Sequence, residues 1–248
     1  YHTLIEAERA QYHLLGLAHA LTAWGNALLA LNRRKEALTR HEKAAEIFRD
    51  LSGKDPRYRL DLASHLGSEG TTFYALKRPR EALACFEEAA ELLQSLINEA
   101  QPLHRLVLAA IRMNGGVALS DLNRPGEALA RFEEAAKIFR DTIGEGQPQY
   151  RLGLALALVN NGIALYTLNR PGEALARFEE AAELLQVLIN EGQPQHRPDL
   201  VVTLINTATA CADMVDGLET AISHLDRALA VWEGAEAMPA VALDTAPR

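Results

Sequence analysis

The chain has 248 residues, of which 48% are apolar and 23% charged, with a formal net charge of −8. That is ample material for a buried core, and the negative balance disfavours nucleic acid as the main ligand. Ala and Leu carry the apolar share, which favours helix over strand because neither loses much side-chain freedom in a helix.

The two cysteines, Cys85 and Cys211, have neither metal-ligand spacing nor a disulfide framework, which fits a reducing, cytoplasmic setting. The chain opens at Tyr1 without a charged-then-apolar leader, and we expect a piece of a longer bacterial protein. Leu152 to Leu168 carries no charge, but Asn160, Asn161 and Gly162 interrupt it. Equivalent stretches hold Asp61, Glu69 and Arg112, so no membrane span is expected.

An eight-residue signature organises the chain. Leu31-Asn-Arg-Arg-Lys-Glu-Ala-Leu38 returns at Leu76 to Leu83, Leu122 to Leu129 and Leu168 to Leu175. A decayed copy runs from Val215 to Ile222, and the spacings are 45, 46, 46 and 47. Five repeats follow, at about 11–55, 56–101, 102–147, 148–193 and 194–233, with 234–248 as a loose tail without helical period. Repeats one and three share Ile47 to Asp50 and Ile138 to Asp141, whereas repeats two and four have Leu92 to Gln94 and Leu184 to Gln186. A two-repeat unit was duplicated.

In chain order, each repeat reads as two helices. The first places Gly25 midway along its first helix and Ala37, His41 and Ala44 along its second. The next three repeat this as Gly70, Ala82, Phe86, Ala89; Gly116, Ala128, Phe132, Ala135; and Gly162, Ala174, Phe178, Ala181. In repeat four, Leu154, Leu158, Leu165 and Leu168 predict a helix from about Gln149 to Leu168. Asn169 closes it in a left-handed conformation and Pro171 opens the next. There Ala174, Phe178, Ala181, Ala182 and Leu185 form one stripe, with Arg177, Glu179, Glu180 and Glu183 on the other sides. Gly192 and Pro194 break the chain before repeat five. That last repeat has Ala208 for the glycine and no aromatic, as a terminal cap would.

This combination resembles the tetratricopeptide repeat, over nearly the whole chain. The usual repeat is about 34 residues, so the resemblance is to the long variety. That variety is seen in kinesin light chains and in arrays attached to bacterial signalling NTPases or caspase-like proteases. The resemblance implies an all-α, right-handed superhelical solenoid of about five helix-turn-helix repeats whose first helices line a concave groove. Groove positions then fall on Asn26, Met113, Asn114, Val117, Val159, Asn160, Ile163, Tyr166 and Asn206.

An asparagine offers a donor and an acceptor, so a ladder of them can grip a peptide backbone whatever its side chains. Met113, Val117, Val159, Ile163 and Ile205 add apolar contact, which suits an extended or helical peptide with hydrophobic side chains. The other reading is that the asparagines bond one another or nearby backbone and fix repeat register. The arginines Arg59, Arg105, Arg151 and Arg197 recur at first-helix starts. They read as partners of Glu99, Glu145 or Glu191 across the loop, rather than as a ladder for anions.

His13, His104 and His196 stand in separate repeats, so no metal is expected. The pairs Glu87-Glu88, Glu133-Glu134 and Glu179-Glu180 read as a solvated face, and no phosphate loop, nucleophile elbow or HExxH occurs. The expectation is a non-enzymatic scaffold without cofactor that binds a protein or peptide, including a domain of its own parent chain. Two alternatives stand: a sensory or regulatory arm of a larger bacterial signalling protein, and a structural array that self-assembles into homo-oligomers.

Overall fold

The computed structural model describes residues 2–98 and 104–236. Among these the regular structure is helical: α1 His2–Ala30, α2 Arg34–Lys54, α3 Arg59–Ala75, α4 Pro79–Asn98, α5 Arg105–Asp121, α6 Pro125–Gly144, α7 Arg151–Thr167, α8 Pro171–Asn190, α9 Arg197–Ala212 and α10 Leu218–Glu236. The all-α expectation holds, with helices in antiparallel pairs. α1 begins at His2, ahead of the first repeat's expected start, and α10 continues to Glu236. The rest of the expected tail, 237–248, and the Gln101-Pro102 loop lie outside the described residues.

The repeated signature is the turn inside each pair. Asn32, Lys77, Asn123, Asn169 and Asp216 all take φ between 58° and 61°. This left-handed residue reverses the chain and lets the following amides reach back: Asn169 N–H donates to the Tyr166 carbonyl at 2.9 Å and Arg170 N–H to Leu165 at 3.0 Å. The arginine of the signature then folds onto the glutamate three residues on. The pairs are Arg33–Glu36, Arg78–Glu81, Arg124–Glu127 and Arg170–Glu173, with closest approaches of 2.6 to 2.9 Å. Each glutamate thereby sits in the first turn of a second helix, where the helix dipole favours it.

Two compact units divide the chain, one up to Ile138 and one from Phe139. In the first, α1 pairs with α2 and α3 with α4, while α5 lies beside both α3 and α4. Phe48, Leu51, Leu66, Phe86 and Leu93 are buried there. In the second, α7 pairs with α8 and α9 with α10, and α8 also meets α9. Its core sets Leu185 and Leu188 against Leu200, Leu204 and Ala228. Burying a leucine fully is worth about 1.5–3 kcal/mol, so each such contact between repeats is a substantial part of the local stability.

The small residue midway along each first helix makes the pairing close. A Cβ on Gly70, Gly116 or Gly162 would lie 2.5 to 2.7 Å from the ring of Phe86, Phe132 or Phe178. In repeat one His41 replaces the phenylalanine, 2.5 Å from the equivalent point on Gly25.

Candidate functional site

The residues expected in the groove fall on first helices of both units. In the first unit, Asn26 on α1 and Asn114 on α5 are exposed, while Met113 and Val117 are half-buried beside Asn114. The equivalent positions of α3, 46 residues earlier than those of α5, hold Gly67, Ser68 and Thr71, so this face is small there. Thr22, one turn before Asn26, is taken up inside: its hydroxyl lies 2.9 Å from the Ala18 carbonyl oxygen and 2.8 Å from His65 Nδ1.

In the second unit, α7 and α9 lie side by side and present a different surface. Leu156 and Ile163 on α7, with Val202 and Ile205 on α9, are exposed. Val159, Asn160 and Asn206 are half-buried between them in sequence register. Each α7 residue has its α9 counterpart 46 positions on: Leu156 with Val202, Val159 with Ile205, Asn160 with Asn206, and Ile163 with Thr209. Two rungs of the ladder are therefore apolar, one is an asparagine pair, and one mixes isoleucine with threonine. Leu156 and Val202 escaped the sequence-based assignment. They lie seven residues before Ile163 and three before Ile205, spacings that put them on the same face.

The side chains of Asn114, Asn160 and Asn206 make no hydrogen bond within the chain among the described residues. Tyr166 is engaged: its hydroxyl donates to the Asp213 carboxylate, and that bond raises the tyrosine's pKa. It borders the face at the α7 end rather than standing free in it.

The recurrent arginines behave as loop clasps. Arg151 meets Glu191 at 2.6 Å, at the far end of its own repeat's second helix, and Arg197 likewise donates to the Gly234 carbonyl at 2.8 Å. Arg59 and Arg105 are engaged as well. The glutamate pairs do more than face solvent: Glu88 receives Arg49 at 3.1 Å within the first unit, and Glu180 receives Arg140 at 2.7 Å within the second. These exposed pairs between successive second helices are worth about 1 kcal/mol or less each.

Burial, and then the charges of Glu69 and Glu88, push the Cys85 thiol up to about 12, far from the reactive thiolate range. Among the described residues no three His, Cys, Asp or Glu side chains converge as metal ligands, and no helix is long and apolar enough to cross a membrane.

Models of the tetratricopeptide repeat match residues 16–95 and 108–149, which include the Gly25–His41, Gly70–Phe86 and Gly116–Phe132 contacts described above. The chain carries tetratricopeptide repeats over these residues. The fold agrees with solved structures of low sequence identity. BtubC (BKLC) from P. vanneervenii is 19% identical with a TM-score of 0.73, over 98% of this chain and 90% of that one. A Podosopora anserina chain assigned as a kinesin light chain, with nearly identical TPR-like repeats, is 14% identical with a TM-score of 0.68, covering 91% and 99%. YrrB, described as a TPR protein with an unusual peptide-binding site, is 19% identical with a TM-score of 0.51, covering 86% and 85%. No curated protein matches the sequence. Among tetratricopeptide repeats this array is of the long kind, its extra length lying in helices of 16 to 21 residues from α2 onward and in the short 3-10 turns at Pro56–Tyr58, Pro148–Tyr150 and Pro194–His196.

Proposed function

We propose that this repeat scaffold binds a partner protein through a peptide segment laid along α7 and α9. The observation that carries the reading is the exposed ladder of Leu156, Ile163, Val202 and Ile205 flanking Asn160 and Asn206, whose amides have no partner among the described residues. Apolar side chains of the segment would lie on the aliphatic rungs, and its backbone would exchange hydrogen bonds with the two asparagines. Composition supports this choice over α3 of the first unit, whose corresponding positions are matched in exposure but are the polar Ser64, Ser68 and Thr71.

The test is selection of binders from a displayed library of random short peptides, followed by calorimetric titration of those recovered. Peptides rich in hydrophobic residues should bind wild type and lose at least tenfold in affinity to the Ile163→Asp, Ile205→Asp variant. Binders that are indifferent to both substitutions would place recognition on another surface.

A further inference from the structure

The turns inside the helix pairs of the first unit carry a charge opposite to that of the chain as a whole. Residues 28–40, 73–85 and 119–131 run from the end of a first helix through the opening turns of the second. Together they hold nine bases against four acids, a net of +5 that leaves −13 for the rest of a chain whose total is −8. All four acids are engaged: Glu36, Glu81 and Glu127 with the signature arginines, and Asp121 with the Tyr74 hydroxyl. Of the remaining bases, Arg40 stacks on Trp24 and Arg131 lies 3.6 Å from Glu134. Arg34, Lys35, Lys77 and Arg80 are exposed and have no ion pair among the described residues.

The turn itself does not require these four cations. Turns three and four place Asn123 and Asn169 where Lys77 stands, and Pro125 and Pro171 where Arg34 stands. Gly126 and Gly172 take the position of Lys35 and Arg80. Lys77 sits against backbone preference, because at φ 61° asparagine is held at lower cost than lysine. Arg34 is fixed in place: Nε donates to Asn32 Oδ1 at 2.8 Å and Nη1 to the Ala75 carbonyl at 2.7 Å. Both acceptors are neutral, so these bonds orient the guanidinium and leave its charge uncompensated.

The cations border two cavities that follow one another along the turns. One of about 490 Å³ is lined by Arg34, Lys35 and Leu76 with the Arg33–Glu36 pair, and the next, about 370 Å³, by Arg80, Leu83, Leu122 and Arg124. In the second unit the hollow between turns, about 470 Å³, is lined by Tyr166, Thr167, Asn169, Pro171 and Asp213, with an acid and no base. Stacked turns thus leave a hollow in each unit, and those of the first unit are the cationic ones. We propose that these two cavities receive a short acidic segment of a partner protein. Its carboxylates meet Arg34, Lys35, Lys77 and Arg80, and its apolar side chains rest on Leu76 and Leu122. Length decides against nucleic acid: a long polyanion would run on from the cationic stretch into a chain that otherwise repels it, whereas a short segment stays within. None of these residues is on α7 or α9, so the turn edge and the aliphatic ladder stand or fall separately.

The experiment is fluorescence anisotropy with a short labelled peptide of Asp, Glu and Leu. Its counterpart with Asn and Gln for the acids, and a single-stranded oligonucleotide of the same charge, are titrated beside it. Wild type should bind the acidic peptide, more weakly as salt is raised, and leave the neutral one free. Lys35→Glu, Arg80→Glu should cut that affinity about tenfold at an unchanged thermal midpoint, because both side chains are exposed at a position that is glycine in turns three and four. Gly126→Lys adds a cation at the same position, where a side chain meets open space, and should tighten binding about threefold. Ile163→Asp, Ile205→Asp should leave it unchanged. A wild type that binds neither peptide, or both equally, would overturn the proposal. So would acidic-peptide binding that survives Lys35→Glu, Arg80→Glu, or an oligonucleotide that binds more tightly than the peptide.

Discussion

A Cβ added to Gly162 would lie 2.5 Å from Cε1 of Phe178, with two further ring atoms at 2.7 and 2.8 Å. Phe178 is almost fully buried, so its ring has nowhere to retreat. Alanine gains about 1 kcal/mol over glycine in helix propensity, but overpacking a tight core costs about 1–3 kcal/mol, and three simultaneous clashes put this site at the upper end. Gly162→Ala should therefore lower the urea midpoint, and adding Phe178→Leu should recover part of the loss. Gly115→Ala is the internal control. Its nearest neighbour would be Phe86 Cβ at 3.6 Å, so the variant should be neutral or slightly more stable.

This glycine–aromatic pair was legible in the sequence, as were the left-handed Asn169 and the helix start at Pro171, because each is a backbone demand that few residue types meet. The exposure of the α7 and α9 face was only half legible. Repeat spacing puts Asn160 over Asn206 in register, but no spacing says that both amides go unpaired. That depends on which neighbouring groups come within 3 Å of them. Glu88 and Glu180 show the same limit: helical periodicity places them outside, but their arginine partners come from helices about 40 residues away in sequence.

Repeat one sets His41 where repeats two to four have phenylalanine, and this should make the chain acid-sensitive. Neither ring nitrogen of His41 has a hydrogen-bond partner. His65, packed against it with ring centroids 5.5 Å apart, donates from Nε2 to the His41 carbonyl at 3.0 Å. Burial lowers both to about 4, and for His65 the nearby His41 adds to the effect. Unfolded, each would titrate near 6.5. Between those values the unfolded chain takes up protons that the folded chain refuses. Stability is thus fully present above about pH 6.5 and falls as pH drops toward 4, by up to about 3 kcal/mol per histidine. His41→Phe should relieve two orphaned nitrogens, raise stability at neutral pH by about 1–3 kcal/mol, and shallow the acid slope. Chemical denaturation at a series of pH values measures both effects, and an unchanged slope would refute the assignment to His41.

Lys77 occupies the turn position that asparagine holds in three other repeats, with φ of 61°. A left-handed conformation costs an ordinary side chain about 1–2 kcal/mol, less for asparagine, whose short amide bonds locally. Lys77→Asn should raise the thermal midpoint by an amount equivalent to about 0.5–1 kcal/mol, and Asn169→Ala should lower it by a similar amount. Differential scanning calorimetry on both variants decides the point. Equal midpoints would mean that the turn's hydrogen bonds, not its backbone preference, dominate its stability.

Asn160 and Asn206 separate the binding role from the register role most sharply. If their side chains fixed repeat register, removing both would break contacts and lower stability by about 1 kcal/mol for each lost hydrogen bond. With no hydrogen bond to lose among the described residues, the double variant Asn160→Ala, Asn206→Ala should unfold at the wild-type midpoint or slightly above it, since alanine is the better helix former. The same variant should lose affinity for selected peptides by roughly tenfold, because each forfeited amide–backbone bond is worth about 0.5–1.5 kcal/mol. Thermal unfolding and peptide titration on one preparation give both numbers. A fall in stability with binding intact would return the asparagines to the role of register pins, and the peptide face would then rest on its aliphatic rungs alone.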